Sequence, residues 1–224
     1  MRGFVKDNSL SLFFLGLFVL ALVGQSIAGY NLFNQEAQEH GEATLSYWRY
    51  LVSSEFGADV MENWQSEWLQ FWLFALATVW FVQRGSNESK EPNDVGLESD
   101  QKQKVGGYAP ENAPRWAKLD DWRRTIFSYS FTIVMGLIFL ATWFAQSVTA
   151  WTTYNNEQSE HDQATVSWAT YVTSSDFWER TLQNWQSEFL AVGTMAVLTI
   201  YLRQRGSPES KPVGAPHSET ATSG

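Results

Sequence analysis

The chain has 224 residues, 44% of them hydrophobic, and a formal net charge of −9. It contains no cysteine, which excludes disulfide frameworks, thiolate metal sites and thiol nucleophiles. Its mean hydropathy of −0.26 is mildly polar only because concentrated apolar runs alternate with long polar stretches. The average therefore conceals a pattern that is typical of an integral membrane protein.

Four apolar runs stand out in the sequence. The first and third are long enough to cross a hydrocarbon core of about 30 Å as helices. The second and fourth reach that length only if each helix begins earlier, in a polar block. The sequence therefore predicts four transmembrane helices, at about residues 10–29, 62–83, 126–150 and 183–203.

The first run also has features of a secretory signal peptide. Basic residues precede its apolar core, and Ser26-Ile27-Ala28 resembles a cleavage site. However, Gln146-Ser147 repeats Gln25-Ser26 at the end of an internal apolar run that cannot be a signal peptide. We therefore predict that residues 10–29 are a retained span.

Helices are expected to extend beyond the membrane on one side. The first should continue to His40, where Gly41 is a stop signal. A short interfacial helix follows, because the apolar residues of Leu45–Val52 recur at helical spacing. The next long helix is predicted to begin near Ser54 and to run to Arg84.

Two polar stretches interrupt this pattern. Residues from about 86 to 114 are rich in Gly, Asn, Glu and Lys without a hydrophobic period, which predicts a disordered cytoplasmic linker, and we assign the linker to residues 91–121. Residues 115–124 place apolar side chains three apart among basic residues, as is typical of a short interfacial segment. Residues 212–224 are rich in Ser, Pro and Glu and are predicted to be disordered.

The chain contains an internal repeat. Residues 25–90 align without a gap to residues 146–211, with 28 identities in 66 positions. The clearest block begins at Asn63 and recurs 121 positions later, at Asn184. We therefore assign repeat 1 to residues 1–90 and repeat 2 to residues 122–211, with two spans in each.

The distribution of Lys and Arg predicts the orientation. Of the 15 basic residues, only Arg49 and Arg180 lie in the two loops that connect the spans of each repeat. Both termini are therefore predicted to be cytoplasmic, with the repeats entering the membrane in the same sense. The outer segments, residues 31–67 and 152–188, carry 13 acidic and 2 basic residues, a net charge of −11 that would concentrate cations.

Polar residues recur at the outer ends of the predicted spans. With a rise of about 1.5 Å per residue, Gln25 and Glu67 lie at similar depth on antiparallel neighbours. Asn63 shares a helix face with Glu67 because the two are four residues apart. Ionisable groups at such depth usually face the bundle interior or a wet cavity.

The candidate binding residues are Gln25, Asn63 and Glu67 with their repeats Gln146, Asn184 and Glu188. Two interpretations remain open, a structural clamp of hydrogen bonds between helices or a symmetric site for a cation or small solute.

A second constellation repeats Glu and His at helical spacing. Glu36 and His40 are four residues apart, as are Glu157 and His161, so each pair can ligate a metal ion from one helix face. Carboxylate with imidazole suits Zn, Fe or Mn. The pattern matches no established metal motif, and a solvated acidic loop is the alternative.

The sequence has no Gly-rich phosphate loop, Gly-x-Ser-x-Gly elbow or acid–base pair of recognised spacing. Its basic residues are dispersed near the membrane, which does not predict nucleic-acid binding. The expected surroundings are the lipid bilayer, with an unidentified membrane protein as a candidate partner.

Four of these motifs also occur in a known protein family, which the chain therefore resembles. They are Gln25-Ser26, Glu39-His40, Asn63–Leu69 and the ending Gln83–Lys90. The chain resembles a family of small bacterial integral membrane proteins of unknown function. The resemblance implies two tandem repeats of two spans in the bacterial inner (plasma) membrane, and it implies no activity.

We therefore expect an all-α integral membrane protein with four transmembrane helices, arranged as two parallel tandem repeats with short outer interfacial helices. The favoured function is non-enzymatic, with an acidic, outward polar pocket that binds cations or a small solute. One alternative is a membrane enzyme that uses the Glu/His pairs with a divalent metal as cofactor. The other is a structural subunit of a membrane complex.

Overall fold

The computed structural model describes residues 2–222, and every regular element in that range is a helix, as predicted. The α-helices are α1 (Arg2–Asp7), α2 (Ser9–His40), α3 (Tyr47–Tyr50), α4 (Ser54–Trp80), α5 (Trp122–Ser128), α6 (Ser130–Glu160), α7 (Trp168–Tyr171) and α8 (Ser175–Tyr201). Two short 3-10 helices, Gly106–Tyr108 and Arg115–Lys118, lie between α4 and α5.

Among the described residues, α2 and α6 are the two helices long and apolar enough to cross a membrane, with 32 and 31 residues. Helix α2 ends where Gly41 adopts a left-handed φ of +74°, which glycine reaches without steric cost. The predicted continuation to His40 and stop at Gly41 are thus confirmed. Past the end of α6, Asp162 takes the equivalent left-handed conformation with a φ of +53°.

Helices α4 and α8 end earlier than sequence periodicity suggests. Helix α4 begins at Ser54, as predicted, but it ends at Trp80 rather than at Arg84. The cause is a competing hydrogen bond of 2.8 Å from the backbone N–H of Gln83 to the hydroxyl of Ser89. This bond holds the backbone in a turn, so the helix does not continue. After α8, the Gln204 N–H makes the same bond with Ser210, at 2.9 Å.

The two halves of the chain place their helices at matching positions. Helices α2, α3 and α4 begin at residues 9, 47 and 54, and α6, α7 and α8 begin 121 positions later, at residues 130, 168 and 175. The turns that follow α4 and α8 also match, because Ser86 and Ser207 each accept a hydrogen bond from the backbone N–H two residues further on. Corresponding sequence thus builds corresponding local structure.

The described residues form two compact units. Unit 1 comprises the residues up to Val60 together with Ser147–Val166, and unit 2 comprises Met61–Gln146 and the residues from Ser167 onwards. The boundary between the units falls inside α4 and α6. Each unit has its own aromatic cluster.

Tyr50 lies at the centre of unit 1, with only 2% of its surface exposed. Its ring packs against Tyr30, Phe33 and Phe56, with centroids 6.1, 5.8 and 5.5 Å away. Each such aromatic pair contributes about 0.5–1.5 kcal/mol beyond the area that it buries. Residue 29 must be glycine for this packing, because a Cβ there would overlap the Tyr50 hydroxyl.

The cluster in unit 2 is centred on the buried ring of Phe139 in α6. This ring stacks between Trp72 and Trp143, with centroids 5.8 and 5.6 Å away. Gly136 lets α6 approach α4 closely, since a Cβ there would lie 2.9 Å from the indole nitrogen of Trp72. The indole of Trp185 from α8 completes the cluster at 6.2 Å from Phe139.

The linker and the tail both belong to unit 2. Ion pairs occur along residues 91–124, for example Lys102 with Asp94 at 3.0 Å and Arg124 with Asp120 at 2.7 Å. Residues 115–124 contain the second 3-10 helix and the start of α5. Residues 212–222 form turns, and the N–H of Ala221 donates a hydrogen bond to the oxygen of Ser86 in the turn after α4.

Candidate functional site

Unit 1 contains a cavity of about 570 Å³ beside the polar ends of α2 and α6. Six glutamates line it, namely Glu36, Glu39, Glu42, Glu55, Glu157 and Glu160, together with His40 and His161. No lysine or arginine is among its lining residues, so the cavity is strongly negative. Its volume falls in the range of about 300–1,000 Å³ that is usual for small-molecule sites.

Many of these side chains lie in or next to the last turns of the two long helices, α2 and α6. Glu36 and His40 lie one turn apart at the end of α2, and Glu157 lies in the last turn of α6. His161 follows directly after the last residue of α6. All four residues predicted from the repeated Glu/His pattern therefore border one cavity.

Both imidazoles have the same hydrogen-bonded orientation. Nδ1 of His40 lies 2.9 Å from the backbone oxygen of Glu36, and Nδ1 of His161 lies 2.8 Å from that of Glu157. A carbonyl oxygen only accepts hydrogen bonds, so Nδ1 is the donor in each ring. In the neutral ring, Nε2 then keeps its lone pair. Metal-binding histidines commonly show this arrangement, in which the second ring nitrogen donates to a carbonyl.

The cavity does not provide a closed coordination shell for a bare metal ion. Within residues 2–222, no group of three or more His, Asp or Glu side chains lies close enough to hold one. The carboxylates are instead spread around a space much larger than a single ion. Such a lining suits cations that keep their own water ligands, since water can bridge the remaining distance.

The negative charges in the cavity change the pKa of at least one of its carboxyl groups, that of Glu160. Glu160 lies well beyond Ala150, the last residue of the third apolar run. Burial and the charges of Glu42 and Glu157 raise the pKa of the Glu160 carboxyl, although the nearby His161 acts in the opposite direction. A cation in the cavity would offset this repulsion and favour the ionised carboxylates.

The predicted polar cluster is found partly at the contact between α4 and α8 in unit 2. The side-chain amide of Asn184 donates to Glu62 at 2.8 Å, and the hydroxyl of Ser66 donates to Glu188 at 3.3 Å. Glu62 and Ser66 of α4 make these two hydrogen bonds, and the neighbouring Asn63 and Glu67 are exposed. Adjacent residues of a helix point about 100° apart, so Glu62 and Ser66 lie on a face next to that of Asn63 and Glu67.

The remaining two predicted residues differ from each other in burial. Gln25 lies in unit 1 and is exposed on α2, whereas Gln146 lies in unit 2 and is fully buried. These two glutamines, 121 positions apart, therefore have different surroundings. The structure gives Asn184 and Glu188 interhelical partners and leaves the prediction of a symmetric six-residue site as a prediction.

Sequence reasoning missed the residues that pair across α4 and α8. Arg180 lies 3.8 Å from a carboxylate oxygen of Glu62 and 3.4 Å from one of Asp176. Tyr171 donates a hydrogen bond of 2.8 Å to Asp176. Burial, together with this bond, raises the pKa of the Tyr171 hydroxyl. The signal was present where the repeats differ, since Arg180 aligns with Asp59.

Comparisons with known proteins give a family and no activity. A family model described as "Domain of unknown function (DUF6766)" matches residues 1–222. No curated protein matches the chain, and no solved structure does.

Proposed function

The chain belongs to the DUF6766 family, whose function is unknown, and we propose that it is a multi-pass membrane protein with an outward acidic cavity that binds cations. The observation that carries the proposal is the lining of the unit 1 cavity by six glutamates and two histidines without a lysine or arginine. Such a cavity attracts cations and excludes anions electrostatically.

The proposed architecture has four spans in two parallel repeats. Helices α2 and α6 are two of these spans, and α4 and α8 are the others. Within them, residues 62–80 and 183–201 belong to the predicted spans, 19 residues in each. At about 1.5 Å per residue these cover about 28 Å, close to a hydrocarbon core of about 30 Å. The bias of Lys and Arg supports cytoplasmic termini in a bacterial inner membrane, with the cavity on the outer side.

Binding is proposed to be non-enzymatic and to depend on charge. The lining carboxylates hold hydrated divalent cations without a fixed set of protein ligands. Cation binding stabilises the folded state by mass action, by about 2.7 kcal/mol at a concentration 100-fold above the dissociation constant. The cavity is also large enough for a small organic cation. Such a cation should compete with the divalent cation for the cavity in a binding assay.

The test is thermal unfolding of the detergent-solubilised protein with and without calcium or manganese. The unmodified protein should melt at a higher temperature in the presence of the cation. A Glu36→Gln, Glu157→Gln double variant should lose this increase. A control with Glu91→Gln and Glu111→Gln removes the same charge from exposed linker positions and should keep it. Equal responses of the two variants, or no response of the unmodified protein, would contradict the proposal.

A second candidate function is a metal-dependent membrane enzyme. One observation favours it, the donation by Nδ1 of both histidines to backbone carbonyls, which leaves Nε2 available as a ligand. Elemental analysis of protein purified without chelators should then find bound zinc, iron or manganese. A His40→Ala, His161→Ala double variant should lose it. Folded protein that binds none of these metals when they are supplied would rule out this candidate.

A further inference from the structure

The side chain of Lys211 is buried within unit 2, with 1% of the residue exposed. Its ammonium group donates to the backbone oxygens of Gly85 at 2.6 Å, Pro216 at 3.1 Å, His217 at 3.0 Å and Glu219 at 3.0 Å. Three N–H groups are thus shared among four carbonyls. Burying an ammonium group is costly unless it is hydrogen-bonded, so these acceptors make the position tolerable.

These contacts join two segments that are far apart in sequence. Gly85 belongs to the turn after α4, and the other three carbonyls belong to the residues that follow α8. The backbone N–H of Gly85 also donates to the hydroxyl of Thr220, at 2.9 Å. The N–H of Ala221 donates to the oxygen of Ser86, at 3.1 Å. Residues 212–221 therefore fold back over the Gly85-Ser86 turn.

The turn is shaped to accept this segment. Gly85 has a φ of +87°, and a Cβ at this position would overlap the backbone oxygen of His217. His217 is itself anchored, since its Nδ1 lies 2.9 Å from the backbone oxygen of Ile200 and must donate to it. Glycine at position 85 is thus required twice, by the backbone conformation and by the close approach of the segment.

The matching turn after α8 is not covered in the same way. Gly206 has a similar φ of +80°, but no atom lies within 4 Å of a Cβ built there. The lysine that matches Lys211 is Lys90, which donates to the oxygen of Gly96 at 3.0 Å and pairs with Glu98 at 3.4 Å. Lys90 keeps 27% of its side chain exposed. The two turns share sequence and backbone shape and differ in what packs on them.

We propose that residues 212–221 form a strap that closes over the Gly85-Ser86 turn, with Lys211 as its latch, and that the strap opens as a unit. The contacts run along the segment, from Ala215 on Arg203 to Thr220 and Ala221 on the turn. The amine of Lys211 joins three carbonyls of the segment to that of Gly85, so loss of this one group weakens the closure at several points together. Closed, the strap buries Ser86 and Thr220. Open, it exposes the first of two equivalent turns and frees the amine of Lys211.

The amine itself provides the test. The full-length, detergent-solubilised protein is treated with an acylating reagent, and the labelling rate of each lysine is measured by peptide mass spectrometry. Lys211 should react at least about tenfold more slowly than Lys90, because only the open strap exposes it. Gly85→Ala should abolish this protection. Gly206→Ala, at the same kind of φ, should leave it unchanged.

Two results would overturn the strap. One is equal labelling of Lys211 and Lys90 in the unmodified protein, and the other is an equal effect of the two glycine variants. If Gly85→Ala lowers the helical content or the melting temperature strongly, Thr220→Val replaces it, since that change removes only the acceptor of the Gly85 N–H. Thr222→Val is its control, because the Thr222 hydroxyl donates to Glu219 and not to the turn. Equal labelling of Lys211 in these two variants would overturn the strap as well.

Discussion

The indole nitrogen of Trp185 in α8 donates a hydrogen bond of 2.8 Å to the side-chain oxygen of Gln65 in α4. Gln65 is completely buried, and its amide nitrogen donates to the backbone oxygen of Glu62 at 3.1 Å. Its counterpart in the second copy of the block, Gln186, is exposed. The same residue type thus joins two helices in one copy and lies at the surface in the other.

This difference predicts unequal effects of the same substitution. Gln65→Leu removes the buried acceptor of the Trp185 indole N–H, which should lower the free energy of unfolding by about 1–3 kcal/mol. Gln186→Leu changes an exposed side chain and should have an effect within about 0.5 kcal/mol. Chemical or thermal unfolding in detergent measures both. Equal effects of the two substitutions would contradict the packing of α4 against α8.

Gly29→Ala should destabilise unit 1 because the new methyl group overlaps the Tyr50 hydroxyl. Overpacking of this kind costs about 1–3 kcal/mol, which thermal unfolding would detect. Adding Tyr50→Phe removes the overlapping oxygen and should restore part of the loss. Gly24→Ala is the matched control on the same helix, since no atom lies within 4 Å of a Cβ there. A loss of stability in the control as large as that of Gly29→Ala would argue against the overlap.

The pH dependence of stability should reflect Glu88, in the turn after α4. Burial and the nearby carboxylate of Glu209 raise the pKa of Glu88 above its usual value of 4.5. The folded state therefore binds this proton more tightly than the unfolded state does. The contribution of Glu88 to stability consequently decreases as the pH rises from about 4.5 through the raised pKa.

Glu209→Gln removes the neighbouring charge and should weaken this decrease. The variant should gain stability relative to the unmodified protein at neutral pH, by less than about 1 kcal/mol for partly exposed groups. The gain should disappear as the pH falls below the raised pKa of Glu88, because a neutral Glu88 carboxyl is no longer repelled by a neighbouring charge. Urea unfolding between pH 4 and pH 8 tests this, with Glu91→Gln as the exposed control. A gain that does not vary with pH would contradict the assigned interaction.

The proposed topology predicts the location of three fusion points. Reporter domains fused at Lys102 and after Lys211 should report the cytoplasm, and one near Gly41 should report the outer side, because basic residues are concentrated in cytoplasmic segments. Alkaline phosphatase and fluorescent-protein fusions distinguish the two sides. An external signal at Lys102 would exclude the four-span arrangement.

Residues 9–41 and 54–60 show what the sequence can predict. Helix α2 ends at a glycine and α4 begins at a serine, and both signals act within one turn of the backbone. The partners of α4 were harder to predict, because a helix face is defined only once its rotation is known. Asn63 and Glu67 share one face, and Glu62 and Ser66 on the adjacent face make the hydrogen bonds to Asn184 and Glu188. That rotation depends on aromatic packing, which no residue spacing reports.

In the candidate cavity too, local spacing predicted some of the lining residues, and the tertiary fold brings in the others. The i, i+4 spacing of Glu36 and His40, and of Glu157 and His161, groups residues that do line one cavity. The contributions of Glu42 and Glu55 could not be predicted, since they lie after α2 and at the start of α4. Only the tertiary fold brings those chain segments to the same wall.

The ion pair between Arg180 and Glu62 also distinguishes the two halves of the chain. If α4 of one molecule met α4 of another in the geometry of α8, Asp59 would occupy the position of Arg180. Two carboxylates would then face each other, and like charges at short distance disfavour the wrong partner. In a chain with two similar halves, the opposite charge at this one position therefore disfavours exchange of the halves between molecules.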